Sequence, residues 1–425
     1  MNPIMNPLWF RSFSVFLLLH SALCADAQQD DGAFDQPITG SDADIALAPG
    51  SGLQVNFNGG ASSFGIQAMA QPMLGWTKTD LDSTAAMGTE IRNAFFSFHV
   101  ADRDRGLSMV VRGDMGAIQP LLDAYVDWDS DSGWKVRAGQ FRSPLNNREM
   151  TFFEGRLAMT RRSALSRNFT QSGREFGVTV QRSFGNADGF QVVPTLAVTS
   201  GDGLNSFGSL SNDPDAGGCK VGGRLDVLPF GPLDLTSSLA TQPEDEFRMA
   251  LGLATSYNFG ASGPTGESHR VWSMYDSDGA DQLPDYLKNV VDLLVRYKGA
   301  SLMLEYVNTA AYGLQGAVTN SSTGTLLMPT EISTYLVLGS AYNVQLSQVL
   351  ASGWSGTVRF SQMYPEFSDL NAGSVLQVED VIGACLTRHI EEQAIKIQLA
   401  GEYVSRPDFP EQTGWRVELM TQFSL

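Results

Sequence analysis

The last eleven residues of this 425-residue chain alternate without a break. Trp415, Val417, Leu419, Thr421, Phe423 and Leu425 fall on one face, and Arg416, Glu418, Met420, Gln422 and Ser424 on the other. A period of two sends successive side chains to opposite faces of a strand. The segment therefore predicts a strand with one wholly lipid-compatible face that ends at the final residue. The pattern recurs upstream. Ala94, Phe96, Phe98 and Val100 oppose Asn93, Ser97 and His99, with Phe95 interrupting the polar side. Leu122, Ala124, Val126 and Trp128 oppose Asp123, Tyr125 and Asp127, and Val291, Leu293, Val295 and Tyr297 oppose Asp292 and Arg296. Phe247, Met249, Leu251 and Leu253 oppose Ala250, Gly252 and Ala254, a small-residue face suited to a crowded interior.

Repeated alternation sets the class: all-β, and a transmembrane antiparallel β-barrel. The amino terminus has one basic residue, Arg11, then the apolar run Phe13 to Leu19 and the small-residue site Ala25-Asp26-Ala27, which predicts a secretory signal over residues 1–27. Beyond it no apolar run reaches the roughly 18 residues of a membrane-spanning helix, so a membrane role must come from strands. Residues 28–63 hold Asp30, Asp31, Asp35, Asp42 and Asp44 without Lys or Arg and read as a flexible acidic periplasmic leader; residues 64–425 read as the barrel. The formal net charge of −18 argues against nucleic acid as a partner.

About sixteen strands can be placed, from 64–77 to 415–425, with the twelfth at 331–342. An even number suits closure. Tight links at Asp102 to Gly106, Asp129 to Gly133, Gly185 to Gly189 and Lys298 to Gly299 alternate with long ones at 78–89, 142–173, 201–218, 261–285 and 313–330. Short periplasmic turns and long outer loops give that asymmetry. The link 229–246, with Pro229, Pro232 and Pro243, reads as an extended turn. Trp76, Phe259, Tyr286 and Trp415 near the long-loop ends, and Trp128, Trp134, Tyr297 and Phe423 near the tight-turn ends, predict two aromatic girdles.

Charge is distributed unevenly. From Lys135 to Arg182 there are ten Lys or Arg against three acids, in a chain that is acidic overall. The segment opens on an alternating strand, is stopped by Pro144, and continues into the long loop between the fifth and sixth strands. The strand Asp123-Ala124-Tyr125-Val126, the run Val136-Arg137-Ala138-Gly139-Gln140-Phe141-Arg142-Ser143-Pro144, the loop motif Phe152-Phe153-Glu154-Gly155-Arg156 and the return strand Arg174-Glu175-Phe176-Gly177-Val178 resemble the phosphate-selective porin O and P family. The resemblance implies a homotrimeric sixteen-stranded outer-membrane porin. Its basic third loop would fold inward, and its lumen would pass phosphate or polyphosphate.

Arg142, Arg148, Arg156, Arg161 and Arg162 are the candidates for a basic constriction, with Arg112 inward by parity with Ser108. A cation at about 4 Å from an anion is worth about 4 kcal/mol at an effective dielectric of about 20, and the arginine fork matches phosphate oxygens. Lys135 and Arg137 complete the set, although both lie across a tight hairpin from Asp127, Tyr125 and Asp123, which predicts ion pairs within the wall. Arg161 and Arg162 have a second reading, outward against lipid headgroups or a neighbouring subunit. Asp123, Asp127, Asp292 and Glu305 open two alternatives: a general or cation-preferring porin, or a barrel plugged by salt bridges.

No enzyme, metal or cofactor is indicated: His99, His269 and His389 stand far apart, and Asp276-Ser277-Asp278-Gly279-Ala280-Asp281 lacks the closing glutamate of a calcium loop. Cys219 and Cys385 are predicted at opposite rims, too far apart to pair.

Overall fold

A computed structural model describes residues 43–206, 218–240, 246–269, 272–320, 324–367 and 373–425. The predicted signal and the leader up to residue 42 lie outside the described residues.

Two strands, β1 (Asp44–Ala48) and β2 (Gly52–Phe57), precede sixteen that form the wall. These are β3 (Ser62–Thr79), β4 (Ala86–Asp102), β5 (Leu107–Asp114), β6 (Leu121–Asp129), β7 (Trp134–Arg142), β8 (Arg174–Arg182), β9 (Gln191–Thr199) and β10 (Lys220–Leu228). There follow β11 (Arg248–Asn258), β12 (Asp285–Tyr297), β13 (Ala300–Tyr312), β14 (Gly339–Val349), β15 (Trp354–Pro365), β16 (Glu379–Glu391), β17 (Ile395–Ser405) and β18 (Gly414–Ser424). Each pairs antiparallel with the next, and β18 closes on β3 through Val417 opposite Trp76 and Leu419 opposite Leu74. The result is a closed sixteen-stranded barrel.

Register assigns the faces. Leu253, Val291, Tyr306, Val344, Leu346, Val358, Ile382 and Leu399 are exposed outward, while their neighbours Ala254, Asp292, Glu305, Asn343, Arg359 and Gln398 are buried inward. A belt that is apolar outside and polar inside is the pattern a barrel in hydrocarbon requires.

Three expectations shift. Asp44–Phe57, inside the segment read as a flexible leader, forms the β1–β2 hairpin. β3 is 18 residues long and β18 only 11, so the first residues of β3 would have a bare edge. β2 covers it, with Leu53 opposite Ile66 and Phe57 opposite Ser62, directly after Leu425 has paired with Ala68. The acids of residues 28–63 masked these two short strands, of which β2 pairs with the adjacent β3. The twelfth wall strand runs over 339–349, not 331–342. Leu336 and Leu338 are buried instead in a loop cluster with Ala261, Met274 and Ile332, so this apolar run caps the long-loop rim and does not form wall. Tyr286, expected in a girdle, points inward and donates its hydroxyl to the Val337 carbonyl at 2.7 Å.

The apolar core lies in the lumen. Ala164, Leu165 and Phe169 from the β7–β8 loop meet Ala254, Val290, Val307 and Met363 of the wall. Below them Phe152 and Leu157 of the same loop meet Leu233 and Leu235 of the link after β10, together with Leu294 and Met303. That link therefore folds into the barrel from the turn rim.

Candidate functional site

The β7–β8 loop builds the site. Pro144 ends β7, and two short helices follow, α1 (Arg148–Thr151) and α2 (Ala164–Phe169). Ser163 caps α2 by accepting from the Ser166 amide at 3.2 Å. Glu149 ties the two helices together, accepting from the Ser163 amide and hydroxyl, each at 2.7 Å, and from the Ser166 hydroxyl at 2.6 Å.

The loop reaches most of the wall. Arg148, 2% exposed, bridges Asp226 of β10 at 2.5 Å and Asp292 of β12 at 2.7 Å, and Arg224 holds the same two carboxylates. Gly252 makes room for this foursome, because a Cβ there would collide with Arg224, Asp292 and Arg148. Asn147 donates to Glu305 of β13 at 3.0 Å, and Lys288 of β12 donates to the Phe169 carbonyl at 2.6 Å. Arg359 of β15 pairs with Glu149 at 3.2 Å. Lys396 and Gln398 of β17 donate to the Leu157 and Ala158 carbonyls at 3.1 and 3.2 Å. On β18, Thr160 donates to Glu418 at 2.7 Å and Arg161 pairs with the same carboxylate.

Seven of the eight candidate cations have a close carboxylate partner, and Arg156 a distant one. Arg142 and Arg162 share Glu154 with Arg174. Burial would raise the Glu154 carboxyl, but Arg142, Arg174 and Arg162 outweigh it and hold the group well below the usual carboxylate range. Arg156 reaches towards Asp234 at 3.8 Å and is the most exposed of the loop arginines named here. Arg161 also contacts Glu90 at 3.3 Å. Arg112 pairs with Asp123 at 3.1 Å and lies over the Phe153 ring. Lys135 and Arg137 pair with Asp127 at 3.3 and 2.6 Å, within the wall as the hairpin geometry predicts, and Arg137 covers Tyr125. The eight are thus distributed over several neutralised clusters and do not form one ring.

Two chambers lie along the β17–β18 side among the described residues. The first, about 270 Å³ at the long-loop rim, is bordered by Arg167, Arg406, Arg416 and Glu379. Arg406 is occupied by Glu379 at 2.5 Å. Arg416 stands 3.8 Å from Glu402 and 3.9 Å from Glu418, beyond hydrogen-bond distance. The Arg167 Nε and Arg416 Nη1 atoms are buried without a hydrogen-bond partner among the described residues. Burial depresses the Arg167 guanidinium, opposed by Glu402, yet an arginine stays cationic in a protein. The second chamber, about 580 Å³ at the turn rim, is bordered by Phe153, Arg156, Glu391, Glu392 and Gln422. Arg416 and Gln422 are six residues apart on one strand, about 20 Å. The inward residues between them, Glu418 and Met420, are 3% and 2% exposed, and Gln422 is bonded to Gln71 at 2.6 Å. Loop and wall therefore close the space between the chambers with the clasp Thr160–Glu418–Arg161.

Sequence reasoning placed Arg167 in the basic loop and Arg416 on the polar face of the last strand, but missed that the two border one cavity. It also missed Ser355 and His389, on neighbouring strands with Ser355 Oγ and His389 Nε2 2.9 Å apart. The other imidazole nitrogen faces the Glu392 carbonyl, not a carboxylate, and Ser355 is 1% exposed, so the pair lacks both the acid and the access of a hydrolytic triad. Asp276 accepts from the amides of Asp278 and Ala280, each at 2.9 Å, which makes a solvated turn. Among the described residues no cluster of metal-ligating side chains occurs. Cys219 and Cys385 are both free thiols.

Similarity to solved structures confirms the architecture. The fold is that of the sixteen-stranded porins. An anion-selective porin from Comamonas acidovorans matches over 86% of this chain and all of its own, at 10% identity and a TM-score of 0.51. OmpF of Salmonella typhi, in complex with daunomycin, matches over 87% of this chain and 99% of its own, at 12% identity and a TM-score of 0.53. OmpT, an outer-membrane protein of Vibrio cholerae solved in a trimer form, matches over 86% and 100%, at 9% identity and a TM-score of 0.51. No protein-family model and no curated protein matches the sequence.

Proposed function

We propose that this chain is an outer-membrane porin that passes small anions, phosphate among them, along the β17–β18 side of its lumen. The observation that carries the reading is the basic chamber at the long-loop rim, where three guanidinium groups face one carboxylate directly above the Glu418 clasp. Within a Debye length of about 8 Å such a cluster raises the local anion concentration. Several weak sites conduct better than one tight site, because the ion must also leave. The likeness to the phosphate-selective porins in the basic loop supports phosphate as the solute. A homotrimer, the form in which OmpT was solved, is the expected assembly.

Glu418 is the gate of this route. In planar-bilayer recordings Glu418→Gln, which removes the charge that holds Arg161, raises the open probability over the wild-type chain and preserves anion preference. One specific observation favours a second reading: the buried layer between the two chambers fits a plugged barrel that transports nothing. Absence of conductance in both the wild-type protein and Glu418→Gln would support that reading and contradict the channel.

A further inference from the structure

We infer that the chamber at the long-loop rim is a discrete binding site for one oxyanion, gripped by Arg167 from the inward loop and Arg416 from the last strand. The inference deepens the reading above and rests on it only for the direction from which the anion arrives.

The argument starts from unmet hydrogen-bonding capacity. A buried donor without a partner costs about 1–3 kcal/mol, more when it is charged. Most of the basic side chains in this lumen avoid that cost by pairing with carboxylates. Arg167 Nε does not, and no ion pair to Arg167 is found among the described residues. Arg416 Nη1 is likewise without a hydrogen bond, and its carboxylate contacts are long. Both groups border the same cavity, and its only inward acid, Glu379, already holds Arg406 at 2.6 and 2.5 Å. The cavity of about 270 Å³ holds a small solvated ion but not a large solute.

Two guanidinium groups select an ion with divergent oxygens. Their N–H donors are planar and fixed in direction, which matches the separated oxygens of a carboxylate or a phosphate better than the single atom of a halide. The two arms come from separate parts of the fold. Arg167 sits in the last turn of α2 and Arg416 near the start of β18, so an ion held between them also joins the loop to the wall above the clasp.

The test is isothermal titration of the full-length protein in neutral detergent at low ionic strength with inorganic phosphate, acetate and chloride. The inference predicts saturable phosphate binding that acetate competes away and equal chloride does not. Arg167→Gln should weaken it by about tenfold or more, the loss of a charge-assisted contact. Arg167→Lys, which retains charge without the fork, should fall between. Because the Arg167 side chain has no ion-pair partner to lose among the described residues, its variants should not fall below the wild-type urea midpoint, which separates a lost site from a lost fold. No saturable phosphate binding, an unchanged affinity in Arg167→Gln, or chloride competing as well as acetate would each overturn the inference. Binding in a chain that conducts no anions would sink the channel and leave the site. Anion conduction unaffected in an Arg167→Gln variant, with no binding in either protein, would do the reverse.

Discussion

Replacing Arg148 by Gln removes one of two cations from a buried group of four. Arg148 and Arg224 face Asp226 and Asp292, with contacts of 2.5 to 3.0 Å, and Arg148 and Asp292 are 2% and 1% exposed. The group is neutral as it stands. Without Arg148 one negative charge remains uncompensated in a site closed to water. Breaking a buried pair from one side costs about 3–5 kcal/mol. At a urea slope of about 3 kcal/mol/M the unfolding midpoint should fall by about 1 to 1.7 M, measured by tryptophan emission in lipid vesicles. The double variant Arg148→Gln/Asp226→Asn leaves Arg224 with Asp292, again neutral, and should recover most of the loss. Since Arg148 also fastens α1 to the wall, the single variant should show larger or noisier conductance. A single variant within about 1 kcal/mol of wild type, the level of an exposed pair, would refute the reasoning. So would a double variant no more stable than the single one.

Two further outcomes follow from the closure of the lumen. Leu233→Asp places a charge in the cluster with Phe152 and Leu157 and should release the link after β10 from the lumen, raising conductance through the turn-rim half; unchanged conductance would show that this link obstructs nothing. Glu154 gives a pH dependence with a definite sign: its folded pKa is depressed, so its contribution is complete above the ordinary carboxylate value of about 4.3 and is lost as pH falls towards the folded value. The urea midpoint should therefore drop on acidification below about pH 4.3, and drop less in Glu154→Gln; parallel pH profiles for the two proteins would contradict the assignment.

Alternation is local, and the parts of the fold that depend on it were legible in the sequence. The last wall strand, expected over 415–425, runs over Gly414–Ser424, and the local excess of arginine marks the inward loop by composition alone. What the sequence hid depends on contacts between residues far apart in the chain. Arg148 meets its carboxylates 78 and 144 residues away, and Arg161 meets Glu418 257 residues away. Such pairing turns an apparent line of cations into neutral clusters, which no count of charges along the chain reveals. The β1–β2 hairpin was hidden for a different reason: its partners are near in sequence, Leu53 opposite Ile66 and Phe57 opposite Ser62, but the acids, Gly and Pro of residues 28–63 masked its two short apolar runs. The run at 331–338 misled because buried apolar residues look alike in a strand and in a loop that caps a rim. Where the partner was near in sequence, as for Arg137 and Asp127 across a tight turn, the pairing was foreseen.

The most direct measurement is the reversal potential of the purified, refolded protein in a planar bilayer under a potassium chloride gradient, repeated with added phosphate. The account predicts a potential of the sign set by chloride, and a current reduced by phosphate as the ion occupies the basic chamber. A potential of the sign set by potassium would contradict the anion route and leave a general, cation-preferring barrel.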